Sequence, residues 1–179
     1  MVDYSAKPIL IIGDSMVRGL TNICHADIVP LPGAKVQDLL RFLERDGAPI
    51  PTASYHSIVV WVGTNHFGES VEQTKEAFIP LLRYLKNQCP SVHIALQSVL
   101  PRPRDDDRSR DWVKQLNRWL AGACKRNHFK FFKITSLFLS RDGFLHVALF
   151  RDGLHLTTRG LNKVRDSLKT RITRWSYGH

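Results

Sequence analysis

A serine, a glycine, an asparagine and an Asp/His pair stand where acyl-transfer chemistry could be built. Ser15 closes the block Gly13-Asp14-Ser15, directly after the apolar run 8–12. A serine at a strand-to-helix turn faces the crevice beyond the strand's carboxyl end, and its own amide can help hold an oxyanion. Gly13 lets the chain turn sharply. Asp and Ser are also the commonest helix N-caps, so the tripeptide alone more readily describes a cap. Gly33, in Leu31-Pro32-Gly33-Ala34, offers either an exposed amide at a helix start or a plain turn. Asn65, in Gly63-Thr64-Asn65-His66, offers either a side-chain amide to the same crevice or a turn former. Asp152 and His155 lie in Arg151-Asp152-Gly153-Leu154-His155. Imidazole suits proton transfer near neutral pH, and a carboxylate one turn away can fix its tautomer and stabilise the imidazolium. The same pair also fits an exposed capping Asp with an incidental His. Together the blocks supply a nucleophile (Ser15), a base (His155), an orienting acid (Asp152) and three oxyanion donors. Those donors are the Ser15 and Gly33 amides and the Asn65 side chain.

These positions converge only if strands and helices alternate, and the hydrophobic pattern says that they do. Residues 8–13 read as a buried strand, with a short helix following from Ser15. Ile28 and Val29 suggest a second short strand, stopped by Pro30 and Pro32. Val36, Leu39, Leu40 and Leu43 recur at helical spacing over 36–44. The run 57–63 is continuous and β-branched, the clearest strand in the chain. After a polar loop, Ser70 and Gln73 form a capping box for a helix reaching Gln88, with Val71, Phe78, Leu81, Leu82 and Leu85 on its face. Pro80 is expected to bend or shorten it. A strand over 92–99 precedes a charged loop, 101–110, and a helix burying Trp112, Leu116, Trp119, Leu120 and Ala123. A fifth strand is expected over 129–134, then a loop-like stretch to 156 with one helical turn. Thr157 or Thr158 caps a last helix carrying Leu161, Val164, Leu168 and Ile172. Alternation of this kind makes a parallel sheet with helices on both faces. With no internal repeat or linker, residues 1–179 are expected to be one domain.

The four blocks, in this order, resemble the SGNH hydrolase superfamily, also called GDSL-type esterases. Ser15 matches the family nucleophile, Gly33 the lone glycine of the second block and Asn65 the oxyanion asparagine of the third. Asp152-Gly153-Leu154-His155 fits the D-x-x-H block, with His155 as base and Asp152 as its partner. The likeness runs from about residue 8 to residue 172. It implies a three-layer α/β/α fold with a central, mostly parallel five-stranded sheet of flavodoxin-like type, and ester hydrolysis through an acyl-serine. Two positions depart from the family pattern. His66 stands where the third block usually has Asp, which puts the packing of that loop in question, and Met16 stands where Leu is common. The α/β-hydrolase elbow G-x-S-x-G does not fit, because Gly13-Asp14-Ser15-Met16-Val17 lacks its closing glycine. More narrowly, the stretches 101–120 and 151–164 are similar in texture to esterase domains encoded by the first open reading frame of vertebrate LINE-type retrotransposons. That likeness implies a domain excised from a longer protein of a nucleoprotein particle, acting at membranes.

Composition bounds the rest. At 179 residues, 43% hydrophobic and 23% charged, the chain can bury a real core and is not of disordered type. No apolar run reaches the roughly 18 residues of a membrane span, and the start lacks a secretory layout. Cys24, Cys89 and Cys124 are widely spaced and form no C-x-x-C pair. Buried inert thiols in a reducing, cytoplasmic compartment are expected. Metal-site and nucleotide motifs are not found, so no cofactor is expected. His25, His56, His66, His93, His128, His146 and His179 lack a convincing carboxylate context and read as surface or core residues. Of these, His146 could line the pocket. The net charge of +10 is uneven: residues 1–100 carry 8 Lys/Arg against 9 Asp/Glu, and residues 101–179 carry 18 against 7. A basic half suggests RNA or an anionic membrane surface as neighbour. Two readings stand side by side. One is a hydrolase of small, short-acyl or lipid esters, acetyl first because no long insertion suggests a lid. The other is a non-catalytic module of the same fold that binds RNA or membrane through its basic half. Self-association through regions outside this chain is a further expectation.

Overall fold

The computed structural model of the protein describes residues 8–45, 50–105 and 107–177. Five strands, β1 (Ile9–Gly13), β2 (Ala26–Pro30), β3 (Ser57–Trp61), β4 (His93–Gln97) and β5 (Lys130–Phe132), form one sheet in the order β2-β1-β3-β4-β5. Every pairing is parallel. Because β2 and β3 flank β1 on opposite sides, the winding reverses there and opens a crevice at the carboxyl ends of β1 and β3. Gly13 ends β1 level with Pro30 of β2 and Trp61 of β3, so the loops leaving these three strands lie side by side.

Side chains along the strands alternate between two cores, as a pleated sheet requires. Leu10, Ile12, Ile58 and Val60 pack against helices α1 (Val36–Glu44), α2 (Val71–Gln88) and α3 (Asp107–Asn127). Ile9, Ile11, Val59 and Trp61 pack against α4 (Thr158–Tyr177) and short 3-10 turns. Burial on both faces explains why the strands read as unbroken apolar runs. Met16 is buried in the second core, so its exchange for the family's leucine keeps an apolar contact.

Several boundaries differ from expectation for physical reasons. The helix after Ser15 is a single 3-10 turn, Ser15–Val17. Pro80 does not shorten α2: it lies on the exposed face, where the acceptor left without an N–H can turn to water. The buried stripe of α2 includes Thr74, whereas Val71 is only partly covered. The expected loop over 101–110 gives way to α3 at Asp107, whose charge suits a helix N-terminus. Two 3-10 turns, Thr135–Phe138 and Val147–Leu149, order the stretch expected to hold one. Cys89 and Cys124 are buried, and burial pushes the Cys124 thiol up to about 12. Cys24 is exposed, contrary to expectation, because it sits in the turn before β2. Among the described residues, no helix is long and apolar enough to cross a membrane.

Candidate active site

Gly13 is where the site begins. A β-carbon there would lie 1.9 Å from the Trp61 carbonyl oxygen, so only glycine lets β1 end this close to β3. The Asp14 amide then donates to that same oxygen at 3.2 Å. The Asp14 carboxyl points inward and is almost fully buried. It accepts from the Met16 amide at 2.9 Å and from the amides of Gly63 and Thr64. It thereby ties the serine turn to the loop after β3. Burial pushes this carboxyl up to about 7, against the downward pull of those amides and of His155.

Ser15 is left at the head of its turn, facing the crevice. Its Oγ lies 3.0 Å from Nε2 of His155, and Nδ1 of His155 lies 2.6 Å from Oδ2 of Asp152. The other Asp152 oxygen accepts from the amides of Leu154 (3.0 Å) and His155 (2.6 Å), so the carboxylate caps its own loop. The Arg151 amide closes that loop on the His155 carbonyl at 2.9 Å. Gly153 supplies the positive φ of 74° that the turn needs. The bond to the His155 ring, first among its causes, holds the Asp152 carboxyl well below the usual carboxylate range. Asp152 therefore takes the proton on Nδ1 as a hydrogen bond and leaves the Nε2 lone pair for the serine hydroxyl. A cleft of about 480 Å³ beside the pair is lined by Ser15, Met16, Arg18, Arg151, His155 and Leu161, among others.

The oxyanion candidates come from the two neighbouring loops. Gly33 is exposed and adopts φ of +77°, with open space where a side chain would be. Asn65 lies in the 3-10 turn Thr64–His66, and its Nδ2 donates to the Ala34 carbonyl at 2.9 Å. One N–H of that amide is thus anchored, and the group has a second N–H to donate. All five expected site residues are brought to one end of the sheet.

His66 is the residue that the sequence pattern undervalued. It is wholly buried, and a carboxylate stands beside it. Its Nε2 accepts from the Val36 amide at the start of α1 at 3.0 Å, and its Nδ1 lies 2.8 Å from Oε2 of Glu69. The other Glu69 oxygen pairs with Lys35. The three-residue spacing between His66 and Glu69 was the signal available in the sequence. His146, considered for the pocket, instead lines a separate cavity of about 120 Å³ with Ala148, Leu149, Arg159 and Lys163. Among the described residues, no group of three or more His, Cys, Asp or Glu is placed to hold a metal ion.

The model of the GDSL-like Lipase/Acylhydrolase family matches residues 11–162, which span every block above. The chain belongs to this family. Its curated relatives include the human platelet-activating factor acetylhydrolase IB subunit alpha1, 26% identical over 93% of this chain and 75% of that subunit. The chicken alpha2 subunit is also 26% identical, over 87% of this chain and 72% of its own length. Among solved structures, a GDSL-like lipase from Bacteroides thetaiotaomicron superposes with a TM-score of 0.76 at 20% identity, covering 95% of this chain and 89% of its own. That likeness shows the three-layer fold. The esterase domain of the ORF1 protein from the zebrafish ZfL2-1 retrotransposon is 30% identical, covers 93% of this chain and 99% of its own, and has a TM-score of 0.50. The narrower resemblance to retrotransposon esterase domains thus has a counterpart in sequence. Within this GDSL chain, His66 is the departure that lies in the same turn as Asn65.

Proposed function

We propose that the protein is a serine esterase that removes short acyl groups, acetyl foremost, from oxygen esters. The observation that carries this reading is the unbroken hydrogen-bonded line from Ser15 through His155 to Asp152, at 3.0 and 2.6 Å. Ser15 Oγ attacks the acyl carbon while Nε2 of His155 takes the hydroxyl proton. The Ser15 and Gly33 amides and the free N–H of Asn65 hold the oxyanion, where donors already in place act only on the developing charge. His155 then passes its proton to the departing alcohol, leaving an acyl-serine. Water, deprotonated by the same nitrogen, attacks that ester. The acid departs and Ser15 recovers its proton. Asp152 stays ionised throughout and stabilises the imidazolium. The acetyl preference is supported by the acetylhydrolase activity for which the platelet-activating factor relatives are named.

The test is hydrolysis of an activated acetyl ester, together with labelling by a serine-reactive fluorophosphonate. Ser15→Ala is expected to lose labelling and at least about 10³-fold in rate. Equal rates in the two proteins would overturn the reading.

A second reading, binding of a polyanionic surface through the basic half, is favoured by one observation. Phe144 and Val147 are 70% and 61% exposed. The turn that carries Val147 borders the cavity lined by Arg159 and Lys163.

A further inference from the structure

Three separate bonds link the loop after β2 to the loop after β3. Asn65 donates to the carbonyl of Ala34, His66 accepts from the amide of Val36, and Glu69 pairs with Lys35. The two loops carry the Gly33 amide and the Asn65 side chain, so these bonds fix where the two donors stand relative to each other. A backbone amide can donate only to a nitrogen that bears a lone pair. The Val36 bond therefore places the His66 proton on Nδ1, where Glu69 receives it. Glu69 also takes the Lys35 ammonium, and these two bonds, Lys35 first, hold its carboxyl below the ordinary range. A buried imidazole with both nitrogens satisfied has one orientation only, which makes it a spacer of fixed length.

We propose that His66, Glu69 and Lys35 form a clamp that sets the distance between the Gly33 and Asn65 donors, and so tunes transition-state stabilisation. None of the three lines the cleft beside Ser15; they are positioning residues. His66 does here, with Glu69 behind it, what the usual aspartate of the third block could do alone: accept the amide at the start of α1. The proposal rests on the esterase reading above. Its specific content is that oxyanion geometry, which matters only as charge develops, depends on a side chain outside the crevice.

The experiment is steady-state kinetics of the full chain on an activated acetyl ester, with four variants. His66→Ala is expected to lower kcat by about 10²-fold with KM within about twofold, because a displacement on the order of 1 Å has that effect. Glu69→Ala is expected to lower it by about tenfold. His66→Gln places an amide oxygen near the position of Nε2 and is expected to recover to within about tenfold of the parent. His66→Asp, if its shorter acceptor reaches the Val36 amide, is expected to do the same. Hydrogen exchange at the Val36 amide provides a readout independent of catalysis: protection falls in His66→Ala and returns in His66→Gln. Unchanged kcat in both His66→Ala and Glu69→Ala would overturn the proposal, as would a loss confined to KM. So would His66→Gln as slow as His66→Ala while protection of the Val36 amide is restored. If His66→Ala does not fold, Glu69→Ala and His66→Gln still decide it. A parent protein with no Ser15-dependent turnover overturns the esterase reading instead, and the exchange data then judge the clamp alone.

Discussion

The two carboxyl groups of the site, Asp14 and Asp152, are pushed in opposite directions by their surroundings. Asp152 is about half exposed and is held low by the His155 ring, so it is ionised wherever the enzyme would work. An asparagine amide in its place could offer the ring a donor where the carboxylate is an acceptor, moving the imidazole proton to Nε2 and away from its task. Asp152→Asn is therefore expected to lower kcat by about 10²- to 10⁴-fold with little change in fold, as read by kinetics and circular dichroism. Asp14 behaves oppositely. Its carboxyl is raised from 3.8 to about 7 by burial. Between those two values the unfolded chain has released the proton and the native protein still holds it. Stability therefore declines as pH rises through this window and levels off above it. Asp14→Asn keeps an oxygen for the Met16 amide and removes the titration. Urea unfolding at about pH 5 and about pH 7.5 should show a smaller drop in the variant than in the parent. An equal drop would mean that Asp14 is not the group responsible.

At the scale of elements, two glycines separate packing from conformation. Gly13→Ala drives a methyl group into the Trp61 carbonyl and must spread β1 from β3. A loss of about 3 kcal/mol or more in chemical denaturation is expected. Gly33→Ala meets no neighbour but keeps φ at +77°, so about 1–2 kcal/mol of backbone strain is expected, with activity falling further than stability. Much of this level was legible in the sequence. Helix α1 has the bounds that its leucine spacing implied, and Ser70 and Gln73 form the reciprocal bonds of a capping box at 3.1 Å. The placement of Ser15, Gly33, Asn65, Asp152 and His155 at one sheet end followed from strand alternation. What was illegible depends on partners distant in sequence. The His66 role needs the Val36 amide, 30 residues earlier, and no local pattern encodes that bond. The persistence of α2 past Pro80 depends on which face of the helix meets water, and the early start of α3 at Asp107 runs against a loop-like composition.

Charge and exposed apolar surface are properties of the whole molecule, and together they discriminate between polyanionic neighbours. Some cations are already paired: Arg102 with Asp105, Arg110 with Asp107, and Arg165 with Asp166. Lys163, Lys169 and Arg174 stand exposed on α4, and Lys163 borders the same cavity as Ala148 and Leu149. A lipid surface would use both kinds of group, taking the cations at its headgroups and Phe144 and Val147 below them. An RNA strand would use the cations and have little need of aliphatic Val147. The expectation is binding to vesicles rich in anionic phospholipid that weakens steadily as salt rises. Replacing Lys163, Lys169 and Arg174 by Gln should weaken it by about 10²-fold, at about 1 kcal/mol per cation near the surface. Replacing Phe144 and Val147 by Ser should weaken it by an amount that salt does not change, because removal of apolar area from water is not screened. Binding to a polyribonucleotide that falls with the charge variants and ignores Val147→Ser would assign the surface to RNA. Affinity that is flat across salt, or no affinity for either polyanion, would leave the basic half as a solvated face. The charge excess of residues 101–179 would then serve solubility alone.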